Sequence, residues 1–225
     1  MTADPLVLDP ELERATARLL ATVRGLDDAA LAAPSRCPGW TRGHVLSHLA
    51  RNADAYVNLL TWARTGVRTP AYASPQARDA DIEAGAARPL AEHLADLEAA
   101  AARFAAAIDA TPAEAWPAIV AFPSGKEVPA AQLVWARICE VELHHVDLDA
   151  GYGPADWPPA FPLRLLHDPA TPRVATLADP DGTVLLTVPS TPTVTGPAHL
   201  LAAWLSGRGD GTGLTGDLPS LEAWK

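Results

Sequence analysis

The chain has few cysteines, no long apolar run and no surplus of positive charge, and each shortage excludes a class of protein. Its two cysteines, Cys37 and Cys139, lie far apart without a CxxC spacing, which excludes a disulfide framework and indicates buried or spectator thiols. No apolar run approaches the roughly 18–20 residues that a membrane-spanning helix needs. The formal net charge of -10 argues against a nucleic-acid partner, because phosphate binding needs an excess of Lys and Arg.

The remaining composition is that of a globular protein. Hydrophobic residues make up 48% of the 225 residues, with much alanine among them, and charged residues make up 20%. This length falls between one large domain and two small ones. The N-terminal residues Met1 to Pro5 contain no basic stretch followed by an apolar run, so the cytoplasm is the expected location.

Apolar positions recur at helical spacing in four long segments. The predicted helices run from Glu11 to Leu26, from Thr41 to Gly66, from about Pro89 to Ala110 and from about Ala130 to Ala150. Pro10 suits the start of the first helix, while Thr41 can cap the second and Gly66 can end it. A short helix is predicted after Ser74, and residues 118–128 indicate a small hairpin or extended excursion.

The pattern changes after a predicted linker. This linker contains Gly151, Tyr152, Gly153, Pro154, Pro158, Pro159 and Pro162. Beyond it, residues 173–177 and 183–188 are short β-branched runs separated by a turn at 179–182, which is a hairpin signal, and residues 197–205 indicate a helix. The sequence therefore predicts an α+β protein, with a four-helix bundle over residues 1–155 and a small α+β domain over residues 156–225.

Two of the predicted helices carry side chains that suit a divalent metal. Glu140 and His144 are spaced i,i+4, which puts both on one helix face about one turn apart. His48 on another helix can supply a third ligand. Two imidazoles and one carboxylate are a familiar ligand set of catalytic zinc, which keeps a fourth position open, and other divalent metals accept the same donors. One carboxylate leaves such a site with a charge of +1, which an incoming thiolate neutralises.

Spacing alone leaves the choice of ligands open. His44 and His48 have the same i,i+4 spacing and compete as the paired ligands, and His145 competes with His144. Adjacent helical residues point about 100° apart, so His144 and His145 do not easily face one metal. A Glu and a His at i,i+4 also commonly form a surface pair or a helix-stabilising contact. The spacing therefore permits a metal site without establishing it.

Four stretches of the chain carry a resemblance to a known family. They are Pro38 to Arg42 running to His48, Asn58 to Gly66 with Thr69 to Arg78, Glu140 to Leu148, and Leu205 to Gly209. Together they span nearly the whole chain and resemble the mycothiol-dependent maleylpyruvate isomerases, within the DinB-like group of metal-binding four-helix bundles. The stretches around His48 and Glu140 are shared across a broad family of various activities, whereas the stretch from Asn58 to Arg78 more closely resembles the isomerases themselves.

The resemblance implies specific residues and cofactors. It implies metal ligands at His48, Glu140 and His144, with zinc as the first choice of metal and mycothiol as the thiol cofactor. It also implies that Arg208 and Arg78 meet the substrate or the thiol. From the residues alone, two other interpretations are equally good. Arg208 is a cation that interacts with the dipole at a helix C-terminus, and Arg78 is a solvated charge in a loop.

One position departs from the family pattern. Cys139 stands before the predicted ligand glutamate, where the family commonly has an arginine. The departure leaves the role of Cys139 open, and the role of His145 is open as well. The predicted ligand set is not affected.

The implied reaction converts maleylpyruvate to fumarylpyruvate in gentisate degradation. The cis double bond is conjugated to carbonyls, so the metal-activated thiolate of mycothiol can add to it, leave a single bond free to rotate, and be expelled to give the trans isomer. Arg208 would hold a substrate carboxylate or stabilise the enolate-like charge. The partners expected are therefore maleylpyruvate and mycothiol, with no nucleic acid and no membrane, in a monomer or small homo-oligomer.

Two other functions fit the same residues. A mycothiol S-transferase that acts on electrophiles would use the same thiolate but leave a stable conjugate. A non-catalytic module would use His48, Glu140 and His144 as a structural metal site without an open position.

Overall fold

The computed structural model describes residues 4–221, which divide into two compact units after Gly151. The first unit is helical apart from one hairpin, and the second combines helices with a four-stranded sheet. The predicted class, α+β with a helical bundle followed by a small α+β domain, is confirmed. Among residues 4–221, no helix is both long and apolar enough to cross a membrane.

Four long helices and two shorter ones build the first unit. They are α1 Pro5–Arg24, α2 Asp28–Leu31, α3 Arg42–Thr65, α4 Pro75–Ala86, α5 Leu90–Asp109 and α6 Gln132–Asp147. Helix α3 packs against α4, α5 and α6, while α1 packs against α5 and α6. Leucines such as Leu19, Leu49 and Leu133 are fully buried between them, because the apolar stripe of each helix faces the others. The bundle thereby places α3 beside α6.

Helix α1 begins earlier than predicted. The side chain of Asp4 caps it by accepting a hydrogen bond from the Leu6 N–H, and Pro5 occupies the first turn. The prediction that Pro10 starts this helix was wrong, since Pro10 lies inside it. Asp4 and Pro5 already provide a complete start signal five residues before Pro10.

The predicted ends of α3 are confirmed. The Thr41 hydroxyl accepts a hydrogen bond from the His44 N–H, and His44 Nδ1 accepts one from the Thr41 N–H, which together form a capping box. At the other end Gly66 adopts a φ of 70°, a left-handed conformation that glycine accommodates without strain. Ser74 caps α4 in a similar way through the Ala77 N–H.

The predicted hairpin lies between α5 and α6. Strands β1 Ile119–Ala121 and β2 Glu127–Pro129 pair antiparallel, with Val120 opposite Val128. Both valines are buried, whereas the turn that joins the strands is exposed. The hairpin therefore packs one face on the bundle and projects its turn.

The second unit contains two helices and a four-stranded sheet. Its elements are α7 Ala160–Leu166, β3 Thr176–Ala178, β4 Val184–Leu186, β5 Thr193–Thr195, α8 Ala198–Leu205 and β6 Thr215–Gly216. The strand order is β4-β3-β5-β6, with β3 and β5 parallel and the other pairs antiparallel. Helices α7 and α8 pack together. The predicted hairpin and C-terminal helix are both present.

The predicted linker is partly wrong. Pro159 immediately precedes α7 and Pro162 lies in its first turn, where proline is tolerated. Trp157 and Phe161 are buried with their ring centroids 5.2 Å apart. The aromatic contacts therefore fold this proline-rich segment into the second unit.

Candidate metal centre

Helices α3 and α6 bring the three predicted ligands together. His48 Nε2 lies 3.0 Å from Glu140 Oε2, and His144 Nε2 lies 3.4 Å from the same oxygen. The two imidazole centroids are 4.7 Å apart with their planes at 80°. One donor atom from each residue lies within 4.8 Å of the other two. Since His48 is buried and the other two are half-buried, the cluster lies at the edge of the bundle core.

The buried carboxylate of Asp147 orients one of these imidazoles. Asp147 Oδ2 lies 2.9 Å from His144 Nδ1. Because a carboxylate accepts the Nδ1 proton, neutral His144 carries its lone pair on Nε2, on the side of Glu140. Metal-binding histidines usually have such a partner on the other nitrogen. The donor set and this tautomer together fit a divalent metal with two nitrogen ligands and one oxygen ligand.

Burial and hydrogen bonding oppose one another at each of the three groups. Burial favours the neutral form of Glu140, but hydrogen bonds from His144 and His48 outweigh it and hold its pKa well below the usual value. Burial also favours neutral His144, yet hydrogen bonds to Asp147, Cys37 and Glu140 raise its pKa well above the usual value. Burial lowers the pKa of His48. These directions favour an ionised Glu140, a protonated His144 and a neutral His48.

The competing histidines point elsewhere. His44 uses Nδ1 in the capping box of its own helix, and its Nε2 lies 3.1 Å from Glu83 Oε2. His145 is buried against α1, where its Nε2 lies 2.8 Å from Thr22 Oγ1. Both histidines stabilise the bundle and stand outside the cluster. Tertiary contacts thus separate candidates that spacing left equivalent.

Arg78 lies beside the cluster. It is in the first turn of α4, and its Nη2 lies 3.4 Å from His48 Nδ1. The guanidinium stands 6.0 Å from the Trp40 ring centroid and 5.9 Å from that of Tyr72, while Nη1 pairs with Asp79 at 2.7 Å. A cation near a helix N-terminus does not stabilise the helix dipole, so helix stability does not explain this arginine. Its catalytic role stays a prediction.

Arg208 belongs to the second unit. It follows α8, where its backbone N–H donates to the Ala203 carbonyl and its Nη1 donates to the Ser206 carbonyl at 2.7 Å. These contacts match the role of a cation at a helix C-terminus. Contact of Arg208 with substrate stays a prediction.

The sequence did not single out three residues near the cluster. Asp147 had a signal, because it is spaced i,i+3 from His144 on the same helix. No sequence signal pointed to Cys37. Its Sγ lies 3.9 Å from His144 Nδ1, and Cys37, His144 and Asp147 form a second group of possible metal donors. Arg137 is buried one turn before Glu140, with Nη1 2.8 Å from Asn52 Oδ1. Burial lowers the pKa of Arg137, and the charge of Glu140 opposes that effect.

Comparison with known proteins gives a consistent set of similarities. The family model described as the mycothiol maleylpyruvate isomerase N-terminal domain matches residues 12–149. A crystal structure of the mycothiol-dependent maleylpyruvate isomerase is 30% identical, with a TM-score of 0.86 over 100% of both chains. A structure of a histidine-to-alanine mutant of that enzyme is also 30% identical, with a TM-score of 0.85 over 100% of both chains. No curated protein matches the chain.

Proposed function

The chain belongs to the mycothiol maleylpyruvate isomerase family, and from this membership we propose that it converts maleylpyruvate to fumarylpyruvate, using mycothiol and a divalent metal, in gentisate degradation. The observation that carries the proposal is the convergence of His48, Glu140 and His144. Similarity to the isomerase over the full length of both chains supports a shared reaction as well as a shared bundle.

The three ligands would hold the metal and leave a position open for the thiol. His48 and His144 would bind through Nε2, and Glu140 through Oε2, since these are the atoms that converge. When bound, the metal and mycothiol would supply a thiolate that adds reversibly to the conjugated double bond and so permits rotation. A single carboxylate keeps the metal cationic enough to favour an anionic sulfur.

The aromatic and cationic residues beside His48 would handle the substrate. The Trp40 ring centroid lies 5.5 Å from that of His48, so the indole would supply an apolar wall on this side of the centre. Arg78 would hold a substrate carboxylate or the enolate-like charge that develops during rotation. We propose a contact of the same type with substrate for Arg208.

The direct test mixes metal-loaded protein, mycothiol and maleylpyruvate and follows the appearance of fumarylpyruvate. Conversion should need both the metal and the thiol, and the thiol should be recovered unchanged. Omission of mycothiol and removal of the metal with a chelator are the controls. A stable thiol conjugate would favour an S-transferase, and no thiol-dependent conversion would refute the isomerase proposal.

A further inference from the structure

A surface groove of 420 Å³ lies beside the candidate metal centre in the first unit. It is bounded by the end of α3, the loop that leads to α4, the first turn of α4 and the turn of the β1-β2 hairpin. Trp62, Tyr72 and Phe122 supply aromatic walls, and Arg68 and Arg78 supply cations. A volume in the range of about 300–1,000 Å³ suits a ligand of drug size.

Arg78 connects the groove to the metal centre. The same guanidinium that lines the groove lies 3.4 Å from His48 Nδ1 and 5.9 Å from the Tyr72 ring centroid. Because Arg78 lies next to both His48 and the groove, a ligand anchored at the metal would pass this guanidinium to reach the groove. The groove is too large for a small keto-diacid alone, so an extended ligand accounts for it better.

The lining suits a polyhydroxylated ring. Trp62 and Tyr72 are half-buried, each with an arginine guanidinium 5.9 Å from its ring centroid. Aromatic faces accept the C–H faces of a sugar, and guanidinium groups donate to hydroxyl oxygens. Within residues 4–221, Arg68 has no carboxylate at ion-pair distance, so its donors are available to a ligand. Asp79, which also lines the groove, can accept from hydroxyl groups.

The position of Phe122 makes the groove a formed feature of the fold. Its ring centroid lies 5.9 Å from that of Tyr56, a buried residue of α3. The Phe122 ring, directly after β1, is therefore packed against the bundle, so this wall of the groove is in place before any ligand binds. Such preorganisation reduces the entropy lost on binding.

We propose that this groove binds the sugar portions of mycothiol, with the thiol end at the metal and the chain of the cofactor passing Arg78. This assignment rests on the proposed function, because it takes mycothiol as the cofactor. Trp62 and Tyr72 stack on the sugar rings, and Arg68 donates to hydroxyl oxygens. The groove thereby sets the affinity for the thiol cofactor, while the metal centre sets its reactivity.

The test uses the thiol-free sugar portion of mycothiol, the glucosaminyl-inositol, and metal-free full-length protein. Calorimetry or NMR titration should detect binding to the wild type. Trp62→Ala should weaken this binding about tenfold, and Arg68→Gln about fivefold through the lost hydrogen bonds. Arg64→Gln is the matched control, since Arg64 is an exposed arginine on α3, close in sequence to Trp62 and Arg68, and lies outside the groove. Its affinity should equal that of the wild type.

The outcomes separate this proposal from the isomerase reaction. Sugar binding requires neither turnover nor metal, so a protein that binds the glycoside through Trp62 and Arg68 but does not isomerise maleylpyruvate would refute only the reaction. An active isomerase with no measurable glycoside binding, or with affinity unchanged in both variants, would refute the groove. Because Arg68 is exposed, Arg68→Gln should fold normally, so it still tests the groove if Trp62→Ala fails to fold. In the active enzyme, Arg68→Gln should raise the KM for mycothiol more than the KM for maleylpyruvate.

Discussion

His144 pairs through Nδ1 with a carboxylate oxygen of Asp147 2.9 Å away, and this contact turns its opposite nitrogen towards Glu140. Both residues lie on α6, where i,i+3 spacing puts them on one face. On α6, His144 therefore lies one turn from each of two carboxylates, with Glu140 on its N-terminal side and Asp147 on its C-terminal side.

Asp147→Asn should weaken metal binding by about 10–100-fold, because an amide does not select the Nδ1–H tautomer of His144. Competition with a chromophoric chelator measures the affinity. Asp149→Asn is the matched control, since Asp149 is an exposed neighbour that pairs with Arg36 at 3.0 Å. Equal affinity of the Asp147→Asn variant and the wild type would show that Asp147 does not orient the ligand.

Single substitutions should distinguish ligands from neighbouring histidines. His48→Ala, Glu140→Gln and His144→Ala should each lose metal, whereas His44→Ala and His145→Ala should retain it. His44→Ala should instead destabilise the bundle by about 1 kcal/mol through loss of the capping box. Elemental analysis of the purified variants, with urea unfolding, measures both effects. Full metal content in all three ligand variants would overturn the assignment.

Metal affinity should rise with pH. The raised pKa of His144 means that this group is protonated in the metal-free protein, and the metal must displace that proton. Glu140, whose pKa is lowered, is already ionised and releases none. Affinity should therefore increase as pH rises towards the pKa of His144 and level off above it. Calorimetry in buffers of different ionisation enthalpy should count about one proton released per metal near neutral pH. Uptake of protons, or pH-independent affinity, would contradict the predicted protonation of His144.

Arg78→Met should bind metal as well as or a few-fold better than the wild type, while it loses about 100-fold or more in turnover. Arg78 donates towards His48 Nδ1, but a metal on Nε2 requires the proton to lie on Nδ1, so the two donors oppose each other. Chelator competition and steady-state kinetics measure the two effects, with Arg64→Met as the control. Turnover equal to that of the wild type would show that Arg78 has no role in catalysis.

Arg208→Ala should retain metal but lose turnover, because the proposal gives Arg208 a substrate carboxylate and no part in metal binding. The matched control is Arg173→Ala, which removes another arginine of the second unit that donates to backbone carbonyls. Comparison of metal content, thermal unfolding and kcat separates a local helix-end role from a substrate contact. A kcat equal to that of the wild type in Arg208→Ala would show that Arg208 does not act on the substrate.

The sequence predicted features that depend on neighbouring residues better than features that depend on contacts between distant residues. Thr41, Gly66 and Ser74 act within a few residues, so the predicted helix ends at these points agree with the structure. The start of α1 and the proline-rich segment before α7 were mispredicted. In the first case two start signals competed, and in the second the burial of Trp157 and Phe161 outweighed the local preference of proline for a loop.

The sequence by itself determined the positions of the long helices and the i,i+4 spacing of Glu140 and His144, and its resemblance to a family predicted His48 as the third ligand. Those features depend on helical periodicity and on short motifs, which are local. Only the tertiary structure decided what each histidine faces: His44 caps its own helix, His145 contacts α1, and His48 meets Glu140 across the interface of α3 and α6. These distinctions depend on helix packing, which brings together side chains distant in sequence and has no local signal.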